Sequence, residues 1–156
     1  MYSVRPATED DLDQLTAIEA RVHKAPWSRD HFKSELEKDY AKLWLLTDDE
    51  TDSIIVGYIS FWLLFDELQV LNVAVDLPYR GMGYAKLLVR KSIDEAMRDH
   101  IPKARLEVRE TNEAAFHLYQ KIGFQVTQTR KGFYSDGESA KVMELVLNVA
   151  SFSASS

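Results

Sequence analysis

Val73-Ala74-Val75-Asp76-Leu77-Pro78-Tyr79-Arg80-Gly81-Met82-Gly83-Tyr84-Ala85-Lys86-Leu87-Leu88 decides how the rest of this 156-residue chain is read. Its first residues suit a buried strand, Pro78 marks a turn, Arg80 leads a loop with alternating small residues, and a helix follows. Amides at a helix start lack intrahelical acceptors and carry the positive end of the helix dipole. Small residues let an anion come close to that backbone. The stretch therefore predicts a pyrophosphate site, and the question becomes which phosphate-bearing ligand sits there.

Toward the N-terminus, Leu68 to Val75 pairs across the short Asp66-Glu67 turn with a long strand from Ile54 to Phe65, an antiparallel hairpin whose turn lacks glycine. Leu43 to Leu46 is another strand, followed by a polar turn from Asp48 to Ser53, and Tyr2 to Pro6 alternates as the first strand. Between these lie two helices. Thr8 and Asp11 form a capping box ahead of Leu12, Leu15, Ile18 and Val22 at helical spacing. Ala25-Pro26-Trp27 breaks that helix, and Ser28 caps a second that carries Phe32, Glu35 and Leu36.

Toward the C-terminus, a helix runs from Gly83 to about His100 with Leu88, Val89, Ile93 and Met97 on one face, and Pro102 marks its end. Ala104 to Val108 is a strand, Asn112 to Ile122 a helix closed by Gly123, and two strands follow, Phe124 to about Phe133 and Val142 to Val149, around Ser135-Asp136-Gly137-Glu138. The order β-α-α-β-β-β-α-β-α-β-β describes an α/β (α+β) chain with a mixed central sheet of about seven strands, in which the strands flanking the phosphate helix are parallel neighbours or near-neighbours. One domain is expected over residues 1–148, with a flexible Ser-rich tail over 149–156.

With 46% hydrophobic and 28% charged residues the composition is that of a soluble globular protein. No apolar run reaches the roughly 20 residues a membrane span needs, and Met1 to Pro6 has no signal-peptide core, so a cytoplasmic protein without a membrane partner is expected. The chain has no cysteine, which excludes disulfides, thiolate zinc sites and an enzyme thioester. An acyl group would have to pass directly between two bound substrates. The net charge of −6 argues against nucleic acid as a partner and is compatible with a cationic amine or basic peptide. His23, His31, His100 and His117 show no metal spacing and read as surface or capping residues, so no metal site is expected.

A dinucleotide fold is the obvious rival for the glycine loop. Gly81 and Gly83 supply two glycines, but Lys86 stands where the fingerprint wants glycine or alanine, and three strands precede a unit that usually comes first. A nucleoside-triphosphate loop would need a Gly-Lys-Ser/Thr that is absent. Arg80-Gly81-Met82-Gly83-Tyr84-Ala85 instead resembles the Gln/Arg-x-x-Gly-x-Gly/Ala loop of the GNAT superfamily of acyl-CoA-dependent N-acetyltransferases. Asn112-Glu113-Ala114-Ala115, Leu118-Tyr119 and Gly123-Phe124 resemble its second signature at the expected separation, and the resemblance covers residues 1–148.

That resemblance implies a strand splayed from its neighbour. Val73, Ala74 and Val75 would pair with the pantetheine arm of acetyl-CoA. The backbone from Arg80 through Gly81, Met82, Gly83, Tyr84 and Ala85 to Lys86 would hold the pyrophosphate, and Asn112 would contact the pantetheine. Ala25-Pro26-Trp27-Ser28 before Phe32, Leu106-Glu107-Val108-Arg109, Phe133 to Glu138 and Val142-Met143 look like the bacterial ribosomal-protein alanine N-acetyltransferase family. The same set is similar to the catalytic subunits of archaeal and eukaryotic N-terminal acetyltransferases. The implied acceptor is a protein N-terminus, from a small-subunit ribosomal protein. Phe133 replaces a tyrosine and Ser139 an aspartate that this family often carries, both in the loop expected over the acceptor.

An α-amine with a pKa of about 8 is mostly protonated at neutral pH and attacks a thioester only when neutral. The chemistry needs a base, donors for the oxyanion and an acid for the thiolate. Glu107, opposite in facing to Leu106 and Val108, is the candidate base, through a water or with a pKa raised by burial. Its bland alternative is a solvated glutamate paired with Arg105 or Arg109. Tyr119 is the candidate acid, against a tyrosine that only packs its ring. Tyr134 and Trp27 are candidates to line the acceptor channel, and Glu35 is a weaker candidate to meet a cationic amine. Two rival readings remain: the same reaction on a lysine side chain or small amine, and an acyl-CoA-binding module without turnover. The oligomeric state, monomer or weak dimer, is open.

Overall fold

A computed structural model of the chain describes residues 2–48, 50 and 54–147. Alternating burial and helical spacing translate into β1 (Tyr2–Pro6), α1 (Leu12–Val22), α2 (Arg29–Leu36), β2 (Ala41–Asp48), β3 (Ile55–Leu63), β4 (Leu68–Val75), α3 (Tyr84–Arg98), β5 (Lys103–Arg109), α4 (Glu113–Ile122), β6 (Gln125–Arg130) and β7 (Ala140–Val146). The element order is the expected one. The tail expected over 149–156 and most of the turn over 48–53 lie outside the described residues. Among the described residues, no helix is long and apolar enough to cross a membrane.

The strands form one seven-stranded sheet in the order β1-β2-β3-β4-β5-β7-β6. Every pairing is antiparallel except β4 with β5, as the crossover through α3 requires. Alternate residues of β2 divide the core. Leu43 and Leu45 pack with Leu12, Leu15 and Ile18 of α1 and Phe32 of α2, while Leu46 packs with Leu88, Val89 and Ala96 of α3 and Tyr119 of α4. Successive strand residues point to opposite faces, so α1 and α2 cover one face of the sheet and α3 and α4 the other. A fully buried Leu or Phe in either layer contributes about 1.5–3 kcal/mol.

Local chemistry fixes where each helix begins. The Asp11 carboxylate accepts the Thr8 amide at 2.8 Å and both arms of Arg5 at 2.9 Å, and a 3₁₀ turn over Glu9–Asp11 precedes α1. Ser28 Oγ accepts the His31 amide at 3.1 Å, and Asn112 Oδ1 the Ala115 amide at 3.1 Å. The helix expected to reach His100 stops at Arg98, because His100 takes a left-handed φ of 59° that turns the chain toward β5. The strand expected from Phe124 to Phe133 is only Gln125–Arg130, ending just before Gly132.

One irregularity opens the sheet. β4 pairs with β5 only through Leu68–Val70 against Ala104–Leu106. Immediately afterwards the β3–β4 register slips, with Phe61 opposite Val70 and Ser60 opposite Asn72, so Leu71 is the extra residue of a bulge. A bulge bends and over-twists its strand. β4 consequently leaves β5 while keeping β3, to which it stays paired as far as Val75 opposite Gly57. Gly57 permits the close approach: a Cβ there would lie 2.6 Å from the Ala74 carbonyl oxygen.

Candidate active site

From Leu71 to Val75, β4 has no paired strand on the β5 side among the described residues, and its outward N–H and C=O groups face the gap. A free strand edge is a template for an extended ligand. The chain then turns at Asp76, whose carboxylate accepts the Leu77 amide at 2.9 Å and both Nη2 (2.9 Å) and Nε (3.3 Å) of Arg21. That pair ties the turn to α1. Gly81 and Gly83 both sit at φ +81°, which side chains rarely adopt, and Gly83 is the N-cap of α3. The amides of Tyr84, Ala85 and Lys86 thus open the helix without intrahelical acceptors.

Free edge and helix start together wall a cleft of about 580 Å³. Val73, Ala74, Val75, Arg80, Gly81, Gly83, Tyr84, Ala85, Lys86 and Asn112, all expected around the diphosphate and its arm, line it. Met82 does not, and its side chain is exposed.

A second stretch, about 540 Å³, continues from the first and is walled by Trp27, Glu107, Tyr119 and Tyr134 among others. Glu107 is 21% exposed. Its Oε1 takes Arg105 at 3.0 Å and Arg130 at 3.6 Å. The expected alternative partner Arg109 is engaged elsewhere, by Asp136 at 3.0 Å and Glu138 at 2.8 Å, with its guanidinium 4.0 Å from the Tyr134 ring centre. Tyr119, 8% exposed, packs edge-on against Phe124 at 5.9 Å. Burial, with a smaller push from Tyr134, raises its hydroxyl to about 12. Burial also raises the Tyr134 hydroxyl, opposed by Arg109. Trp27 stacks on His31 at 3.8 Å, and burial lowers the pKa of that imidazole. Glu107 and Tyr119 therefore share one cleft with Trp27 and Tyr134.

Two loops meet beside this stretch, which Lys24, Ala25, Tyr134 and Ser135 help to line. Lys24, after α1, reaches Asp136 at 3.4 Å and Glu138 at 3.7 Å in the β6–β7 loop. Glu138 also accepts the Thr111 amide at 2.8 Å and the Thr111 hydroxyl, and these bonds with Arg109 pull its carboxyl down to about 2. Ser139, in the aspartate position, accepts the Gly132 amide at 3.3 Å, and Phe133 lies under Arg130 at 4.3 Å.

One expectation needs correction. Glu35 is not placed for a substrate amine: it is 1% exposed and accepts the Trp62 indole N–H at 2.6 Å and the Lys38 ammonium of its own helix end. The histidines are surface or capping groups, His23 as the C-cap of α1 and His31, His100 and His117 exposed, and His23 in addition lines both stretches of the cleft. Sequence reasoning also missed Glu19, a 1% exposed carboxylate on the acceptor wall that accepts the Tyr58 hydroxyl at 2.6 Å, the Trp27 amide at 3.0 Å and the Asn72 side chain at 3.0 Å. A helical glutamate gives no local sign of an aromatic donor arriving from a strand. Among the described residues no group of three metal-ligating side chains forms. A separate hollow of about 620 Å³ around Phe65, His100 and Pro102 shares no residue with this cleft.

The chain matches the acetyltransferase (GNAT) family over residues 12–124. It is 34% identical over 148 residues to a putative ribosomal protein bS18-alanine N-acetyltransferase of Bacillus subtilis, covering 94% of this chain and 96% of that one. It is 36% identical over 141 residues to the ribosomal protein bS18-alanine N-acetyltransferase of Haemophilus influenzae, covering 88% and 93%. The crystal structure of the ribosomal-protein-S18-alanine N-acetyltransferase from Escherichia coli superposes with a TM-score of 0.84 at 30% identity, covering 94% of each chain.

Proposed function

The chain belongs to the GNAT family, acyltransferases that draw on acetyl-CoA, and from that premise we propose that it acetylates the α-amine of a protein N-terminus, an N-terminal alanine on a small-subunit ribosomal protein. One observation carries this reading: a slot with a free strand edge and an open helix start runs into a second stretch walled by a carboxylate and a buried phenol. The donor's pantetheine completes the β4 edge at Val73, Ala74 and Val75 and reaches Asn112. Its diphosphate lies on the amides from Arg80 to Lys86. The acceptor enters between Trp27 and Tyr134.

Tyr119 keeps its proton at neutral pH and gives it to the departing sulfur as the C–S bond breaks. Glu107 Oε1 is committed to Arg105 and Arg130, so Oε2 is the oxygen that takes a proton from the amine, through a water. The absence of cysteine leaves direct transfer between two bound substrates. The ion pairs that join the two loops beside the acceptor stretch support a narrow entry, which suits a chain end better than an internal lysine.

Thiol release from acetyl-CoA against a panel of N-terminal peptides, free lysine and spermidine tests the reading, with mass spectrometry locating the acetyl group. Peptides beginning with alanine are expected to be modified on the α-amine. Turnover of lysine or spermidine with none of those peptides would reject it.

A further inference from the structure

Acyl transfer to a nitrogen that arrives as an ammonium asks for more than Glu107 and Tyr119. The nitrogen loses one proton to become a nucleophile and a second once it is bonded to the carbonyl carbon. Two protons leave nitrogen, so two acceptors are wanted. As a class, imidazoles are better matched than carboxylates to accept a proton from an ammonium.

The two stretches of the cleft meet at Val22, His23, Val73, Asn112, Ala115 and Tyr119. Of these only His23 and Tyr119 carry an ionisable side chain, and Glu107 borders the acceptor stretch alone. His23 is the C-cap of α1, its amide donating to the Glu19 carbonyl at 3.0 Å, which fixes its backbone at the junction. Its side chain is 31% exposed. Its Nε2 is buried without a hydrogen bond and lies 3.7 Å from Glu19 Oε1. Glu19 is itself held by Tyr58, Asn72 and the Trp27 amide. A fixed carboxylate beside Nε2 keeps a proton on that nitrogen and leaves Nδ1 as the accepting lone pair. It also stabilises the imidazolium once formed, as a buried carboxylate does behind the imidazole of a hydrolase triad.

We propose that His23, backed by Glu19, is a second proton acceptor for the transfer, taking the first proton from the acceptor ammonium. Nδ1 receives that proton, and the freed nitrogen lone pair forms the C–N bond. The C–S electron pair goes to sulfur, which takes the Tyr119 proton, and the second N–H proton passes to Glu107. Solvent then restores imidazole, carboxylate and phenol with one net proton released. The charged and titratable groups around His23 are Glu19 on its own helix with Tyr58 behind it, Tyr119 from α4, and Lys24, whose ammonium is turned to Asp136 and Glu138.

The inference rests on the acyl-transfer reading of the cleft. The full chain is assayed with whichever of an alanine-terminated peptide, free lysine or spermidine it acetylates fastest. The identity of that amine tests the function reading, and the variants' rates on it test His23. His23→Ala and His23→Asn are expected to lose about a hundredfold in kcat, with melting temperature and calorimetric acetyl-CoA affinity unchanged. Added imidazole restores His23→Ala in a saturable way, and the low-pH limb of kcat/KM moves to higher pH in both variants, toward the ionisation of the amine itself. Glu19→Gln, similar in size, moves that limb to lower pH. Wild-type kcat in both His23 variants overturns the proposal. So does a loss that imidazole does not restore and that leaves the low-pH limb in place. If no amine is turned over, the function reading falls and this inference with it.

Discussion

At Tyr119 burial acts twice. It fixes the ring against Phe124, and it pushes the hydroxyl to about 12. In the proposed transfer a thiolate formed in the same dry surroundings would be a stronger base than it is in water, so donor and acceptor would shift together. Tyr119→Phe removes one oxygen and keeps the packing. Steady-state kinetics are expected to show kcat down by at least about tenfold, with calorimetry finding acetyl-CoA affinity nearly unchanged. Glu107→Gln is expected to cost most at low pH, where the amine is hardest to deprotonate, and a pH–rate profile parallel to wild type would remove that role. Both candidates were named from the sequence, and they line the same stretch of the cleft. Alternation beside Leu106 and Val108 turned Glu107 off the core, and the second signature marked Tyr119. Glu19 and Glu35 were not legible, because what buries each is a hydrogen-bond donor on β3, Tyr58 for one and Trp62 for the other, far away in sequence.

Among the elements, β4 carries the most consequence and β3 holds it in place. Alanine at Gly57 would set a methyl 2.6 Å from the Ala74 carbonyl oxygen and 3.3 Å from Val75 Cα. Backbone cannot yield as a flexible side chain does, so Gly57→Ala is expected to lose about 1–3 kcal/mol of stability, read in thermal melts. Because the displaced strand bears the free edge, acetyl-CoA binding is expected to weaken as well. The kind and order of every element could be read from caps, breaks and periodicity, with ends displaced by a few residues. The splay could be anticipated only through resemblance. Its physical cause is a register slip at Leu71, and register depends on partner strands rather than on any local pattern.

For the molecule as a whole, Asp11, Asp136 and Glu138 set the response to acid. The bond from Arg5 holds Asp11 below its ordinary value against the opposing effect of burial. The Glu138 amide does the same for Asp136, and the Thr111 hydroxyl followed by Arg109 does it for Glu138. The unfolded chain binds more protons than the folded one between the ordinary carboxyl value of 4.5 and about 2 for Glu138. Stability from this group is therefore complete above that window and lost as pH falls through it. Melting temperatures are expected to decline across the window, less steeply in Glu138→Gln. The free edge of β4 has a consequence on the same scale. Strand backbone with unpaired N–H and C=O groups is a template for any extended chain that reaches it, including another copy of itself. A donor substrate laid along that edge is expected to cover it, so saturating acetyl-CoA should slow self-association, which light scattering with and without the thioester would read. Amide exchange from Leu71 to Val75 should slow in its presence.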